Sequence, residues 1–135
     1  MTFLPVWEFP INQESKQFWD AAAENVLLLP RCSDCGFTIF YPRSICPECR
    51  SRNLSWIQMS GKGEVYSYTV TRRTSGRFRS HVPFVIAYVQ LDEGPRMLTN
   101  VVDCDPNNVS IGMRVEVVFE SQDEGKAIPR FKPSQ

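Results

Sequence analysis

Cys32, Cys35, Cys46 and Cys49 form two Cys-x-x-Cys pairs in the stretch "CSDCGFTIFYPRSICPECRS", with ten residues between the pairs. Each pair lets two sulfurs reach one ion from a tight turn, and Gly36 follows the first pair where the backbone must bend. Four soft thiolates in a tetrahedral array suit zinc. The separation is below the about 15–20 residues usual for such sites, yet it leaves room for two facing knuckles, as in a rubredoxin-like ribbon. The same four sulfurs would also accept iron. A redox pair would sit at a helix N-terminus in a βαβ setting, which lowers the attacking thiol's pKa. These pairs lie instead in proline-rich, ribbon-like sequence. A catalytic zinc keeps one coordination position open, and four cysteines close the shell. The quartet therefore reads as a structural metal site.

The remaining reactive side chains are few. His81 is the only histidine, and Cys104 is the only cysteine outside the pairs. Asp103 and Asp105 flank Cys104 and disfavour its thiolate. There is no Gly-rich phosphate loop and no Ser–His–Asp pattern. On its own the chain reads as non-enzymatic. The other concentrated chemistry is "TRRTSGRFRSHVPF", where Arg72, Arg73, Arg77 and Arg79 are interleaved with Phe78, His81 and Phe84. An arginine fork grips phosphate and its plane stacks on a base. This loop has three readings: phosphate contact, contact with a partner's acids, or a solvated surface.

The elements that must position these groups follow from pattern. Residues 1–11 read as an extended apolar arm. Asn12 is placed to cap a helix running from Gln13 to about Leu27, with Phe18, Ala22 and Val26 on one stripe and Trp19 and Ala23 alongside. The cysteine segment follows, with "FTIFYPR" (37–43) expected as the connecting β-ribbon. Alternation then predicts strands at 61–74, 83–92, 95–104, 114–120 and 127–133, the last an edge strand because of its proline. Five short strands fit an oligonucleotide/oligosaccharide-binding (OB) barrel. The fold expected is mainly β: arm and helix over 1–29, ribbon over 30–59, OB-fold over 60–135. Period two puts Tyr66 and Tyr68 on one strand face, either as a base-stacking platform or as core or interface packing. Trp7 and Trp56 read as packing anchors.

Bulk composition limits the partners. The 135 residues carry 15 basic and 15 acidic side chains, so the formal net charge is zero. A dedicated nucleic-acid binder needs a basic excess. No apolar run reaches the about 18 residues of a membrane span, and the N-terminus lacks signal-peptide character. The expected compartment is the cytoplasm, where clustered cysteines favour metal over disulfides.

The order of these motifs resembles the rubredoxin-like zinc-ribbon/OB-fold proteins associated with acyl-CoA metabolism, the family called domain-of-unknown-function 35. The resemblance spans nearly the whole chain. It rests on "FW" (Phe18, Trp19), "LPRCSDCG" (28–36), "YPRSICPEC" (41–49), "SGKGEVYSYTV" (60–70), "PFVIAYVQLDEG" (83–94), "NVVDCDP" (100–106) and "IGMRVEVVFE" (111–120). It implies a non-catalytic accessory subunit of a thiolase-superfamily enzyme, a thiolase or aldolase of lipid, steroid or aromatic degradation, in a heterotetramer or larger. Some members accompany acyl-CoA hydratases. The chain would share a CoA thioester with its partner, with Arg72, Arg73, Arg77, Arg79 and Phe84 on the CoA side and Trp7, Phe18, Trp19, Phe40 and Tyr41 at the partner interface. The alternative is a free-standing nucleic-acid module, since ribbon and barrel both occur in such proteins.

Overall fold

The computed structural model describes residues 4–5, 11–122 and 125–134. Helix α1 spans Lys16–Ala23 and is followed by β1 (Leu28–Cys32) and β2 (Leu54–Gln58). The remaining strands are β3 (Lys62–Thr71), β4 (Phe84–Leu91), β5 (Arg96–Val101), β6 (Arg114–Ser121) and β7 (Ala127–Pro133). A 3₁₀ turn at Gly76–His81 separates β3 from β4, and a second at Pro106–Asn108 precedes β6.

The helix is shorter than expected at both ends. Asn12 caps a turn rather than the helix: its Oδ1 accepts from Ser15 N and Ser15 Oγ, each at 3.0 Å, and α1 starts only after buried Ser15. The stop comes from Asn25, whose φ is 64°. Its N–H donates to Ala22 O at 3.0 Å, and the Val26 N–H donates to Ala21 O at 2.9 Å. These two bonds satisfy the last carbonyls of the helix around a left-handed residue, a role asparagine accepts at little cost. Phe18 and Ala22 form the buried stripe.

β1 and β2 pair antiparallel from Leu28↔Gln58 to Cys32↔Leu54, bracketing the cysteine segment. The expected ribbon at 37–43 is therefore not the main pairing. It contributes one bridge, Arg31↔Thr38, because Phe37 O and the Ile39 N–H bond back to Cys32 and Pro30 at 2.9 Å as part of the first knuckle.

The five later strands close a barrel in the order β3-β4-β5-β7-β6. All neighbours are antiparallel except β5 and β7, which meet in parallel at Val101↔Phe131. β7 is thus a closing strand and not an edge. Pro129 is accommodated because β5 contacts β7 through that single register pair, while the Pro129 carbonyl still accepts from Thr99 Oγ1 at 3.3 Å. One hydrophobic core joins Phe18 of α1, Leu27, Leu29 of β1 and Met59 to the barrel residues Val65, Val89, Val115 and Phe131. A second, small cluster of Cys32, Ile39 and Cys46 lies in the ribbon.

Candidate metal centre and ligand face

The two cysteine knuckles have the same local build. The Gly36 N–H returns to Cys32 O at 2.9 Å, and the Arg50 N–H returns to Cys46 O at 2.8 Å. The residue after each second cysteine is left-handed, with φ of 80° at Gly36 and 66° at Arg50. This turn aims both sulfurs of a pair to one side. The four sulfurs lie within 4.8 Å of one another. Across the knuckles, Cys32 Sγ is 3.5 Å from Cys49 Sγ, and Cys35 Sγ is 3.6 Å from Cys46 Sγ. A tetrahedron with metal–sulfur bonds of about 2.3 Å has edges of about 3.8 Å, so the donor set and its spacing fit such an ion. Cys32 and Cys46 are buried, while Cys35 and Cys49 reach the surface.

The thiols ionise unequally. The Cys35 backbone amide holds the Cys32 thiol down at about 6 against its burial, helped by the Asp34 amide and the Cys49 thiol. The Ser51 amide favours a Cys49 thiolate, but Cys32, burial, Cys35 and Cys46 outweigh it and push Cys49 up to about 12. One thiolate therefore forms readily. Further negative charge in the same small space needs a cation to offset it.

A strut joins this centre to α1 and the turn before it. The Glu14 carboxylate accepts from both Ser44 N and Ser44 Oγ at 2.7 Å, and these bonds hold its pKa below the usual value. Trp19 Nε1 donates to Tyr41 Oη at 2.8 Å. The Phe18 ring meets Trp19, Tyr41 and Phe40 edge-on, with centroids 4.8, 5.9 and 6.1 Å apart. Phe18, Trp19, Phe40 and Tyr41 were expected at a partner interface, and the structure brings them together in one aromatic cluster. Phe18 is only 2% exposed and cannot face a partner. Trp19 and Phe40 are half-buried against the core, and Tyr41 is exposed along one edge. Trp7 lies outside the described residues.

The arginine loop forms the 3₁₀ turn Gly76–His81 and its approach from β3. Arg72 donates to Asn107 Oδ1 at 3.0 Å, which ties the loop to the second 3₁₀ turn. Arg72, Arg73, Arg77 and Arg79 are all exposed. Phe78 and Phe84 pack at 5.4 Å between centroids and form a wall. Beneath it lies a cleft of about 390 Å³ lined by Thr71, Thr74, Phe78, Phe84, Ile86, Leu98, Thr99 and Asn100. Ile86 and Leu98 belong to the outer face of β4 and β5 and were not singled out from sequence. Strand alternation offers a signal, because buried Val85, Ala87 and Val89 leave Ile86 and Tyr88 outside.

Tyr66 and Tyr68 do not share a face. A bulge between Val65 and Ser67 shifts the parity, so Ser67 sits opposite exposed Tyr88 and Tyr68 sits opposite buried Ala87. Both tyrosines remain exposed. The Arg96 guanidinium covers the Tyr66 ring at 3.8 Å from its centroid. Trp56 packs against the core as expected. Burial raises the Cys104 thiol pKa, as do Asp105 and Asp103, which is the reverse of nucleophile activation. No helix among the described residues is long and apolar enough to cross a membrane.

A four-cysteine ribbon leading through one helix-backed core into a closed OB barrel defines the class of protein. Sequence profiles agree: that of the ChsH2 rubredoxin-like zinc ribbon matches residues 19–55, and that of the ChsH2 C-terminal OB-fold domain matches residues 56–120. A DUF35 domain-containing scaffold protein of Methanocaldococcus jannaschii is 44% identical over 110 residues, covering 76% of this chain and 78% of that one. The chain belongs to the DUF35 family. A probable enoyl-CoA hydratase alpha subunit of Thermomonospora curvata is 32% identical across 92% of this chain, which spans only 39% of that protein. Among solved structures, the Ltp2-ChsH2(DUF35) aldolase includes a chain that superposes with a TM-score of 0.83 at 32% identity, covering 93% of this chain and 98% of that one.

Proposed function

We propose that this chain is a non-catalytic accessory subunit of a thiolase-superfamily acyl-CoA enzyme, stabilising that partner and contributing to the binding of the CoA part of its substrate. The observation that carries this reading is the near full-length likeness to the DUF35 chain of an aldolase that pairs Ltp2 with ChsH2. Relatives described as scaffold proteins support the accessory role. The ion is zinc, held structurally by Cys32, Cys35, Cys46 and Cys49, since four thiolates leave no open position for substrate. The cationic loop at Arg72, Arg73, Arg77 and Arg79 meets the phosphates of CoA, with Phe84 beside them. The work is cytoplasmic, in lipid, steroid or aromatic degradation, within a heterotetramer or larger built on a thiolase dimer. The hydratase relative supports a second partner class, an acyl-CoA hydratase.

The test is co-expression with each thiolase-superfamily and hydratase protein of the same genome, followed by size-exclusion chromatography. A stable heteromer that is more active on acyl-CoA than the partner alone is expected. An Arg72→Gln/Arg73→Gln variant should keep the heteromer and raise the KM for acyl-CoA. Salt-sensitive retention on nucleic acid with no enzyme partner would favour the alternative module and sink this reading.

A further inference from the structure

Each knuckle presents one buried and one exposed sulfur. Cys32 and Cys46 are buried, while Cys35 and Cys49 are exposed. The turn that fixes each knuckle sets its two sulfurs side by side, toward the other knuckle. The contacts across the gap therefore pair unlike sulfurs. Exposed Cys49 meets buried Cys32 at 3.5 Å, and exposed Cys35 meets buried Cys46 at 3.6 Å. A disulfide bond is about 2.05 Å long, so closing either contact takes a movement of about 1.5 Å. Ile39 and Leu54 pack against the two buried cysteines and back both contacts. Cys104 offers no such arrangement. It lies outside the sulfur cluster, and burial with Asp105 and Asp103 raises its thiol pKa.

An exposed sulfur is open to an oxidant, and a buried sulfur in contact with it is placed to resolve the product. We infer that the ribbon can exchange one staple for another: a hydroperoxide converts the quartet to two cross-knuckle disulfides, Cys32–Cys49 and Cys35–Cys46, which release the ion and hold the ribbon closed in its place. The exposed Cys49 thiolate attacks the peroxide. An S–O bond forms, the O–O bond breaks, and hydroxide leaves to become water. The buried Cys32 thiolate then attacks the Cys49 sulfenic sulfur. The S–S bond forms, the S–O bond breaks, and a second hydroxide leaves to become water. Two electrons pass from the sulfur pair to one peroxide. Cys35 and Cys46 repeat the sequence with a second peroxide. The site then holds no thiolate, so it loses the charge that binds a cation. A dithiol reductant reverses both bonds by exchange. The inference rests on the metal-site reading and adds a second, covalent state to it. Because both disulfides join the knuckles, the oxidised ribbon keeps Tyr41 and Ser44 where they hold Trp19 and Glu14.

The experiment treats the full zinc-loaded chain with stepwise additions of hydrogen peroxide. Released zinc is read with a chromogenic chelator, disulfides by tryptic mapping without reduction, and order by hydrogen exchange. Trypsin cuts after Arg31, Arg43 and Arg50 and yields "CSDCGFTIFYPR" and "SICPECR", so a cross-knuckle disulfide joins two peptides and a disulfide within a knuckle leaves them separate. The joined pair is expected, with fragmentation placing Cys32–Cys49 and Cys35–Cys46 and one zinc released for every two disulfides. Cys104 should remain free for alkylation, and Cys104→Ser should leave the map unchanged. Protection over residues 32–53 should persist in the oxidised protein and be lost when the reduced protein is chelated. Dithiothreitol with zinc should restore the starting state. Separate peptides, any other connectivity, no disulfide, or protection lost as in the chelated protein would overturn the exchange and leave the metal site standing. A reduced chain that takes up no zinc would overturn the metal site and the exchange with it.

Discussion

Arg50 and Gly36 occupy equivalent positions after the second cysteine of each knuckle, at φ of 66° and 80°. Glycine reaches that conformation freely, whereas a residue with a Cβ is strained there by about 1–2 kcal/mol. Arg50 is exposed and has no packing role that would offset the strain. Arg50→Gly should therefore leave the metal-loaded protein as stable as wild type or up to about 1 kcal/mol more stable, once the extra freedom of glycine in the unfolded chain is subtracted. Gly36→Ala, at the twin position, should destabilise. Chemical denaturation of the two metal-loaded variants checks this, and a destabilised Arg50→Gly would show that the arginine side chain is doing more than the backbone suggests. At this scale the metal site was legible because thiol spacing alone dictates it. The left-handed Arg50 was not, because arginine carries no sequence signal for positive φ. Asn25 did offer such a signal after a run of helix formers, but the helix expected to run to about Leu27 passed over it.

The barrel strands were legible as elements because alternation of β-formers survives without tertiary context, and each observed strand lies within or close to an expected segment. Pairing was less legible. The ribbon sheet joins β1 and β2, which are separated by the whole cysteine segment, and the bulge in β3 breaks the period on which the Tyr66–Tyr68 argument rested. A glycine marks one place where strands pack with no room for a side chain. A β-carbon at Gly63 would overlap the Gln90 carbonyl and lie 3.0 Å from Val89 Cγ1, at the point where β3 pairs with β4 on one side and β6 on the other. Gly63→Ala should cost about 2–3 kcal/mol through forced separation of the strands, read from the denaturant midpoint. A midpoint within error of wild type would mean the barrel yields more easily than its closure implies. The helix-to-ribbon strut has a pH signature. The Glu14 pKa is held below its ordinary 4.5 chiefly by the Ser44 side-chain and backbone donors, so its contribution is present above 4.5 and lost as pH falls through the lowered value. Ser44→Ala removes the hydroxyl donor, and the acid limb of helix docking should move to higher pH. Tryptophan fluorescence between pH 7 and 3 reports it through Trp19, and an acid limb unchanged from wild type would remove Glu14–Ser44 from the strut.

Two clusters of unequal size govern the whole molecule. The large core runs from α1 and β1 through Met59 into the barrel, and the small one holds only Cys32, Ile39 and Cys46, with Leu54 against it. The small cluster cannot bury enough apolar surface to order the knuckles unaided, so metal binding must supply the difference. The large core contains none of the four paired cysteines, and the segment between β1 and β2 reaches it through Phe40. Chelation, or Cys35→Ser, should therefore release the segment between β1 and β2 while the barrel stays folded. The Trp19–Tyr41 hydrogen bond and the Glu14–Ser44 bonds span the boundary between the two regions. Their loss should free the outer face of α1 but leave Phe18 seated on the barrel, since Phe18 packs in the large core. Hydrogen exchange after metal removal should accordingly show protection lost over about residues 32–53, reduced at α1 and retained at β3–β7. Uniform loss of protection would mean that the metal holds the entire fold, and a barrel-wide role for the ion would then replace the local one. Protection retained across the knuckles, with no metal found in the purified protein, would remove the ion from the fold altogether.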